Sequence, residues 1–223
     1  MLCAVVLDMD GLMLDTERLY KVAWQQASQE LGFLLDDEMY LTLLGRPGDE
    51  CEVDLVVRFG DEFPMRQFRA RRRALWQKLV EDKGIPHKPG LFALLNLLRA
   101  HRLPVAIATS SNAERTEFSL RKAGLGERFE VVVTRDQVAR GKPDPALYVE
   151  AARRLGQRPV DCMAIEDSDA GVLAACAAGM TTVCVPDLKP PSEAVRRLAR
   201  CVVGSLNEVH ELLVAMLTGR SAG

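Results

Sequence analysis

Four short polar clusters in this chain combine residue types that can do chemistry together. The first is Asp8-Met9-Asp10-Gly11, two carboxylates one residue apart followed by a glycine. On an extended chain, side chains at i and i+2 point to the same side. Two like charges that close need a cation, or must share a proton, to sit together cheaply. A metal role and a proton-transfer role are both open at this point, beside a plain solvated turn. The second cluster is Thr109-Ser110-Ser111, the third the lone lysine of Gly141-Lys142-Pro143-Asp144-Pro145, and the fourth Glu166-Asp167-Ser168. Carboxylate oxygens at this density suit Mg²⁺, which takes a few carboxylates together with waters and a substrate phosphate. A hydroxyl beside a helix start and a lysine ammonium suit the phosphate itself.

These clusters need elements to bring them together. Ala4 to Leu7, Pro104 to Ala108 and Cys162 to Ile165 are short apolar runs that end at Asp8, Thr109 and Glu166. Each reads as a strand buried on both faces, as in a parallel sheet. Glu130 to Val133, Thr182 to Val185 and an edge strand over Arg200 to Val203 read as further strands. Helical stripes separate them: Leu91 to Leu98, a helix opened by Ser111-Asn112-Ala113-Glu114 with a capping-box pattern, Asp144-Pro145 to Leu155, Gly171 to Ala178 and Leu206 to Leu217. Alternating strands and helices predict a doubly wound parallel α/β sheet, whose strand ends lie along one edge and form the ligand crevice.

Between the first strand and the rest the pattern is helical only. Asp15 to Leu31 carries Leu19, Tyr20, Ala23, Trp24 and Ala27 at helical spacing, with Gly32 to end it. Helical pieces follow at Asp36 to Leu44, Glu52 to Phe59 and Pro64 to Val80, before a break at Pro86-His87-Lys88-Pro89-Gly90. The expected organisation is a core of residues 1–15 and 88–223 with an all-helical domain, 16–87, inserted. The basic run Arg66, Arg69, Arg71, Arg72, Arg73 reads as a solvated helix face, or as a field that draws in an anionic substrate.

The chain has 223 residues and a formal net charge of −2, so its balance asks for neither nucleic acid nor an anionic membrane. No apolar run is long enough to span a bilayer, and no basic stretch leads into a leader-like apolar segment. The expectation is a soluble, cytoplasmic monomer. Its six cysteines show no C-x-x-C pair, which predicts free thiols.

In order and spacing, Asp8-Met9-Asp10-Gly11, Thr109, Gly141-Lys142-Pro143-Asp144-Pro145 and Glu166-Asp167-Ser168-x-Ala170-Gly171 resemble the four motifs of the haloacid dehalogenase superfamily. The resemblance runs from Val5 to about Val185 and is nearest to the branch of beta-phosphoglucomutases and phosphoglycolate phosphatases. The tract Asp8 to Tyr20 is also similar to pseudouridine-5′-phosphatases. This resemblance implies a Rossmann-like core with a helical cap, and a Mg²⁺-dependent phosphatase acting on a small phosphorylated metabolite, a sugar phosphate or a nucleoside monophosphate. It implies that Asp8 is the nucleophile and Asp10 the general acid and base. Thr109 and Lys142 would hold phosphate oxygens, with Ser110 beside them and Arg46 reaching in from the cap. Metal would be held by Asp8, by Asp10 through its backbone carbonyl, and by Asp167, with Glu166 beside it. A sugar phosphomutase would share this core, but the family's hinge histidine stands where this chain has Tyr20. A metal-binding regulatory module would need neither a cap nor Asp10. A dehalogenase proper needs no metal, which the extra carboxylates argue against.

Overall fold

The computed structural model describes residues 2–44 and 48–219. Its chain forms two compact units: one runs to Leu14 and resumes at Pro86, and the other is Asp15–Ile85.

The first unit is built on six parallel strands: β1 (Ala4–Leu7), β2 (Val105–Ala108), β3 (Val131–Val133), β4 (Cys162–Glu166), β5 (Thr181–Cys184) and β6 (Cys201–Val202). Their order is β3-β2-β1-β4-β5-β6. This is a doubly wound, Rossmann-like sheet, and its strand order reverses direction between β1 and β4. In register, Val5 lies beside Val105 and Met163, and Leu7 beside Ile107 and Ile165. Strands β1 and β4 are buried along their whole length, as near-continuous apolar runs in a parallel sheet must be.

Side-chain alternation sorts the sheet into two faces. On one, Ala4, Val6, Ala106, Ala108 and Ala164 pack with Leu147, Tyr148 and Ala151 of α7 (Ala146–Arg154) and Ala174 and Ala175 of α8 (Asp169–Ala177). The small strand residues let these helices sit close. The alternate residues Val5, Leu7, Met163 and Ile165 are equally buried on the other face. Helix α5 (Leu91–Ala100) lies against α10 (Leu206–Thr218). Helices α6 (Ala113–Lys122) and α9 (Glu193–Leu198) complete the unit. Where the chain leaves and re-enters, Lys88 N donates to Met13 O at 2.9 Å and Leu14 bridges His87.

Local rules account for most boundaries. Helix α8 starts at Asp169, two residues before the expected Gly171, because the Ser168 hydroxyl caps it by accepting from Gly171 N. Helix α6 is capped differently from the expected box. Asn112 Oδ1 accepts from Arg115 N at 3.0 Å, which leaves the Ser111 hydroxyl for another partner.

The second unit is all-helical: α1 (Thr16–Glu30), α2 (Asp37–Leu43), α3 (Gly48–Phe59) and α4 (Met65–Lys83). Helix α1 lies against α4 through aromatic rings, Tyr20 stacked on Trp76 at 5.1 Å and Trp24 edge-on to Phe68 at 5.4 Å. The basic run is spent largely inside this unit. Arg69 and Arg72 pair with Glu52, Arg71 pairs with Glu30, and the Arg72 guanidinium lies 4.3 Å from the Trp24 ring. Among the described residues no helix is long and apolar enough to cross a membrane.

All six cysteines are free thiols. Burial pushes the thiols of Cys162 and Cys184 up to about 11 and about 12, so both stay protonated near neutrality. Treating the native protein with a disulfide reagent at pH 8, then mapping peptides by mass, should find Cys162 and Cys184 unmodified until denaturant is added. Rapid labelling of either in the folded protein would contradict this packing.

Candidate active site

The carboxyl ends of β1, β2 and β4 meet at the switch point of the sheet, and each contributes one predicted cluster. Asp8 follows β1 directly and is 5% exposed, with its N–H donating to Ile165 O at 3.1 Å. The chain then folds back on itself, with Leu14 N donating to Met9 O and Gly11 N to Leu14 O. Gly11 has φ +87°, and a β-carbon there would overlap Asp167 Oδ2 and lie 3.5 Å from Asp187 Oδ2. Glycine is thus required both by the turn and by the carboxylate beside it.

Lys142 reaches this point from the loop before α7. Its ammonium donates to both Asp8 Oδ1 and Glu166 Oε1, and all three side chains are removed from water: 4% exposed for Lys142, 7% for Asp8 and none for Glu166. Burial raises the Asp8 carboxyl well above its usual range, against the pull of the Lys142 charge. Burial disfavours the ammonium as well, but the Asp8 and Glu166 charges outweigh it and hold the Lys142 pKa above its ordinary value.

Glu166 is an acceptor on every side. Oε1 takes Lys142 and the hydroxyl of the fully buried Tyr148. Oε2 takes the backbone N–H of Asp167 at 3.0 Å and of Ser168 at 3.2 Å, and the Ser168 hydroxyl at 3.1 Å. A β-carbon at Gly171 would overlap this carboxylate. Burial, then the Glu166 and Asp8 charges, push the Tyr148 phenol far up, so it is a donor at any working pH.

Asp10 is held from β2. Its Oδ2 accepts from Ser111 Oγ at 2.7 Å and, more weakly, from Thr109 Oγ1 at 3.4 Å. Thr109 is fully buried, whereas Ser110 stands exposed at the rim. Ligand atoms of Asp8, Glu166 and Asp167 all lie within 4.8 Å of one another. This is an all-oxygen set of hard donors with no histidine or thiolate, and it fits Mg²⁺ better than a softer metal. The Asp10 side chain is outside that trio. Of the predicted residues, the structure gathers Asp8, Asp10, Thr109, Lys142, Glu166 and Asp167. Arg46 lies outside the described residues.

Two participants were not predicted from sequence, Tyr148 and Asp187. Tyr148 sits among Leu147, Ala151 and Ala152 on the apolar face of α7, where nothing separates it from a core aromatic. Ser111, which the sequence offers as a helix cap or a supporting donor, is the donor: Asn112 takes the cap and Ser111 Oγ goes to Asp10. Asp187 did carry a signal, because Val185-Pro186-Asp187 ends β5 in an acid as β1 and β4 do. Its carboxylate pairs with Lys88 at 2.6 Å.

Residues 5–185 match the haloacid dehalogenase-like hydrolase family. The chain belongs to that family. It is 31% identical to the phosphorylated carbohydrates phosphatase of Thermotoga maritima over 180 residues, 81% of this chain and 83% of that protein. It is also 31% identical to the beta-phosphoglucomutase of Bacillus subtilis, over 84% of each. The crystal structure of a haloacid dehalogenase family hydrolase from Deinococcus radiodurans R1, with bound phosphate and sodium, superposes with a TM-score of 0.79 at 32% identity. That match covers 98% of this chain and 96% of the other.

Gly171→Ala should destabilise this hydrolase by about 2–3 kcal/mol, because a β-carbon there displaces a buried carboxylate and its five donors. Urea denaturation measures it. A loss under about 0.5 kcal/mol would show that Glu166 can move without cost.

Proposed function

We propose that the protein is a Mg²⁺-dependent phosphatase that hydrolyses a small phosphorylated metabolite, a sugar phosphate or a nucleoside monophosphate, through an aspartyl-phosphate on Asp8. The observation that carries this reading is one buried ammonium shared by Asp8 and Glu166, with Asp10 held separately a few residues away. Membership of a hydrolase family that includes a carbohydrate phosphatase supports it.

In this reading Asp8 attacks phosphorus, the new O–P bond forms, and the bond to the ester oxygen breaks. Asp10 gives its proton to the departing oxygen. Asp10 then takes a proton from the water that attacks the same phosphorus, releasing inorganic phosphate and restoring the Asp8 carboxylate. Lys142 and Thr109 meet phosphate oxygens, with Ser110 at the rim beside them; Arg46 is kept as a candidate for binding substrate. Asp8, the carbonyl of Asp10 and Asp167 would hold Mg²⁺. Glu166, already saturated with donors, stands beside it. The bound ion would screen the charge of the phosphate from the attacking carboxylate. The helical unit 16–87 is proposed as the cap that sets specificity, inserted in a core of 1–15 and 88–223.

Hydrolysis rather than phosphoryl isomerisation is favoured by Tyr20. A mutase must protect its phosphorylated aspartate from water until a bound sugar turns over, and in related mutases a hinge histidine takes part. Here that position is an aromatic ring stacked on Trp76 within 4° of parallel.

The test is a phosphate-release screen over sugar phosphates, nucleoside monophosphates and phosphoglycolate with Mg²⁺. At least one substrate should turn over, a chelator should abolish turnover, and Asp8→Asn should lower kcat by 10³-fold or more while keeping the parental Tm within a few degrees. Efficient conversion of β-glucose 1-phosphate to glucose 6-phosphate without phosphate release would overturn the hydrolase reading.

A further inference from the structure

Ser111 lies at a position where a serine hydroxyl would ordinarily cap the following helix. Here it does not, because Asn112 already accepts from Arg115 N. Ser111 is instead pinned by its backbone: its N–H donates to Thr109 Oγ1 at 3.0 Å, and its carbonyl accepts from Arg135 N at 2.9 Å. The residue is 7% exposed. Its hydroxyl turns inward and donates to Asp10 Oδ2 at 2.7 Å. Because Thr109 Oγ1 accepts from Ser111 N, the Thr109 hydroxyl proton is also directed to Asp10 Oδ2. The result is a closed ring of two hydroxyls and one amide around a single carboxylate oxygen. The other oxygen, Oδ1, is buried and finds no hydrogen-bond partner among the described residues.

We propose that Ser111 is a positioning residue that selects Oδ1 as the oxygen through which Asp10 exchanges protons with the substrate. The inference rests on the phosphatase reading above and adds to it the residue that orients the acid. With the Ser111 hydroxyl donating to Oδ2, a bond that persists when the Thr109 hydroxyl turns to phosphate, Oδ1 is the oxygen left to face the substrate. Rotation about the Cβ–Cγ bond would break the shortest contact that Asp10 makes. Removing the hydroxyl therefore leaves Asp10 chemically intact but free to turn its proton away from the leaving group, which is the loss of preorganisation that slows a general acid.

Leaving-group dependence separates this role from simple packing. A phenolate such as p-nitrophenolate departs from phosphorus without a proton, whereas an alkoxide needs one. The ratio kcat/KM reports only steps through formation of the phosphorylated enzyme, so it isolates the acid role. Ser111→Ala should lower kcat/KM for an alkyl phosphate by 10- to 100-fold and for p-nitrophenyl phosphate by less than about 3-fold, within the range that positioned proton transfer supplies. Ser111→Thr keeps the hydroxyl and should recover most of the alkyl rate. Asn112→Ala, which removes the neighbouring cap, should lower Tm while leaving the alkyl-to-aryl ratio at its parental value. Equal loss on both substrates, or no loss on either, overturns the role of Ser111 while the phosphatase reading stands. Absence of hydrolysis of any ester by the parent enzyme overturns both. A crystal structure of Ser111→Ala with Asp10 in its parental orientation also overturns the proposal.

Discussion

One ammonium holds this site together. Lys142 is shared by Asp8 and Glu166 where almost no water reaches any of the three. Removing one partner from a buried ionic set typically costs about 3–5 kcal/mol, because the charges left behind have lost their compensation. The sheet has to deliver the carboxylates from β1 and β4 in register, and the loop before α7 has to deliver the lysine between them. The topology does this without special devices. The strand order reverses between β1 and β4, so their carboxyl ends diverge from the crossover helices and open a crevice, with Asp8 and Glu166 on its walls. Tyr148 then closes the back of the site by donating to Glu166 from a position wholly inside the core. Packing and chemistry share that residue: its ring belongs to the apolar cluster under the sheet, and its hydroxyl belongs to the carboxylate.

The sequence made some of this legible for a simple physical reason. A strand buried on both faces has a restricted alphabet, so Ala4–Leu7 and Cys162–Ile165 stand out, and whatever follows them lies at the crevice. Asp8, Thr109 and Glu166 could be placed on that ground alone, with Lys142 picked out by its proline-braced loop. The sheet and its order of alternation followed from the same runs. What could not be read was the partner of each polar group. Ser111 fits a capping box as well as it fits a carboxylate contact, and only the three-dimensional position of Asn112 decides between them. The arginines of α4 have the spacing of a solvated face, yet Arg72 is drawn over Trp24 and onto Glu52 by residues far away in sequence. Pairing is a long-range property, and hydrophobic periodicity carries no information about it.

The donors around the carboxylates sort them by role. Among the described residues Glu166 accepts from five groups, which leave its carboxylate no freedom to turn. Among the described residues, Asp8 accepts from Lys142 at Oδ1 alone and Asp10 accepts at Oδ2 alone. A carboxylate saturated by the protein is stabilised as an anion and is a poor nucleophile and a poor proton carrier. One tied at a single oxygen keeps its orientation while the other oxygen can react. Placing the donors therefore decides which of several chemically identical groups does which task, a division of labour that composition at the strand ends cannot express. A cluster of acids would attract a cation in any arrangement. Among the described residues this arrangement also leaves one oxygen of Asp8 and one of Asp10 without a protein donor, and in the proposed reaction those are the oxygens that would meet phosphorus and carry the proton.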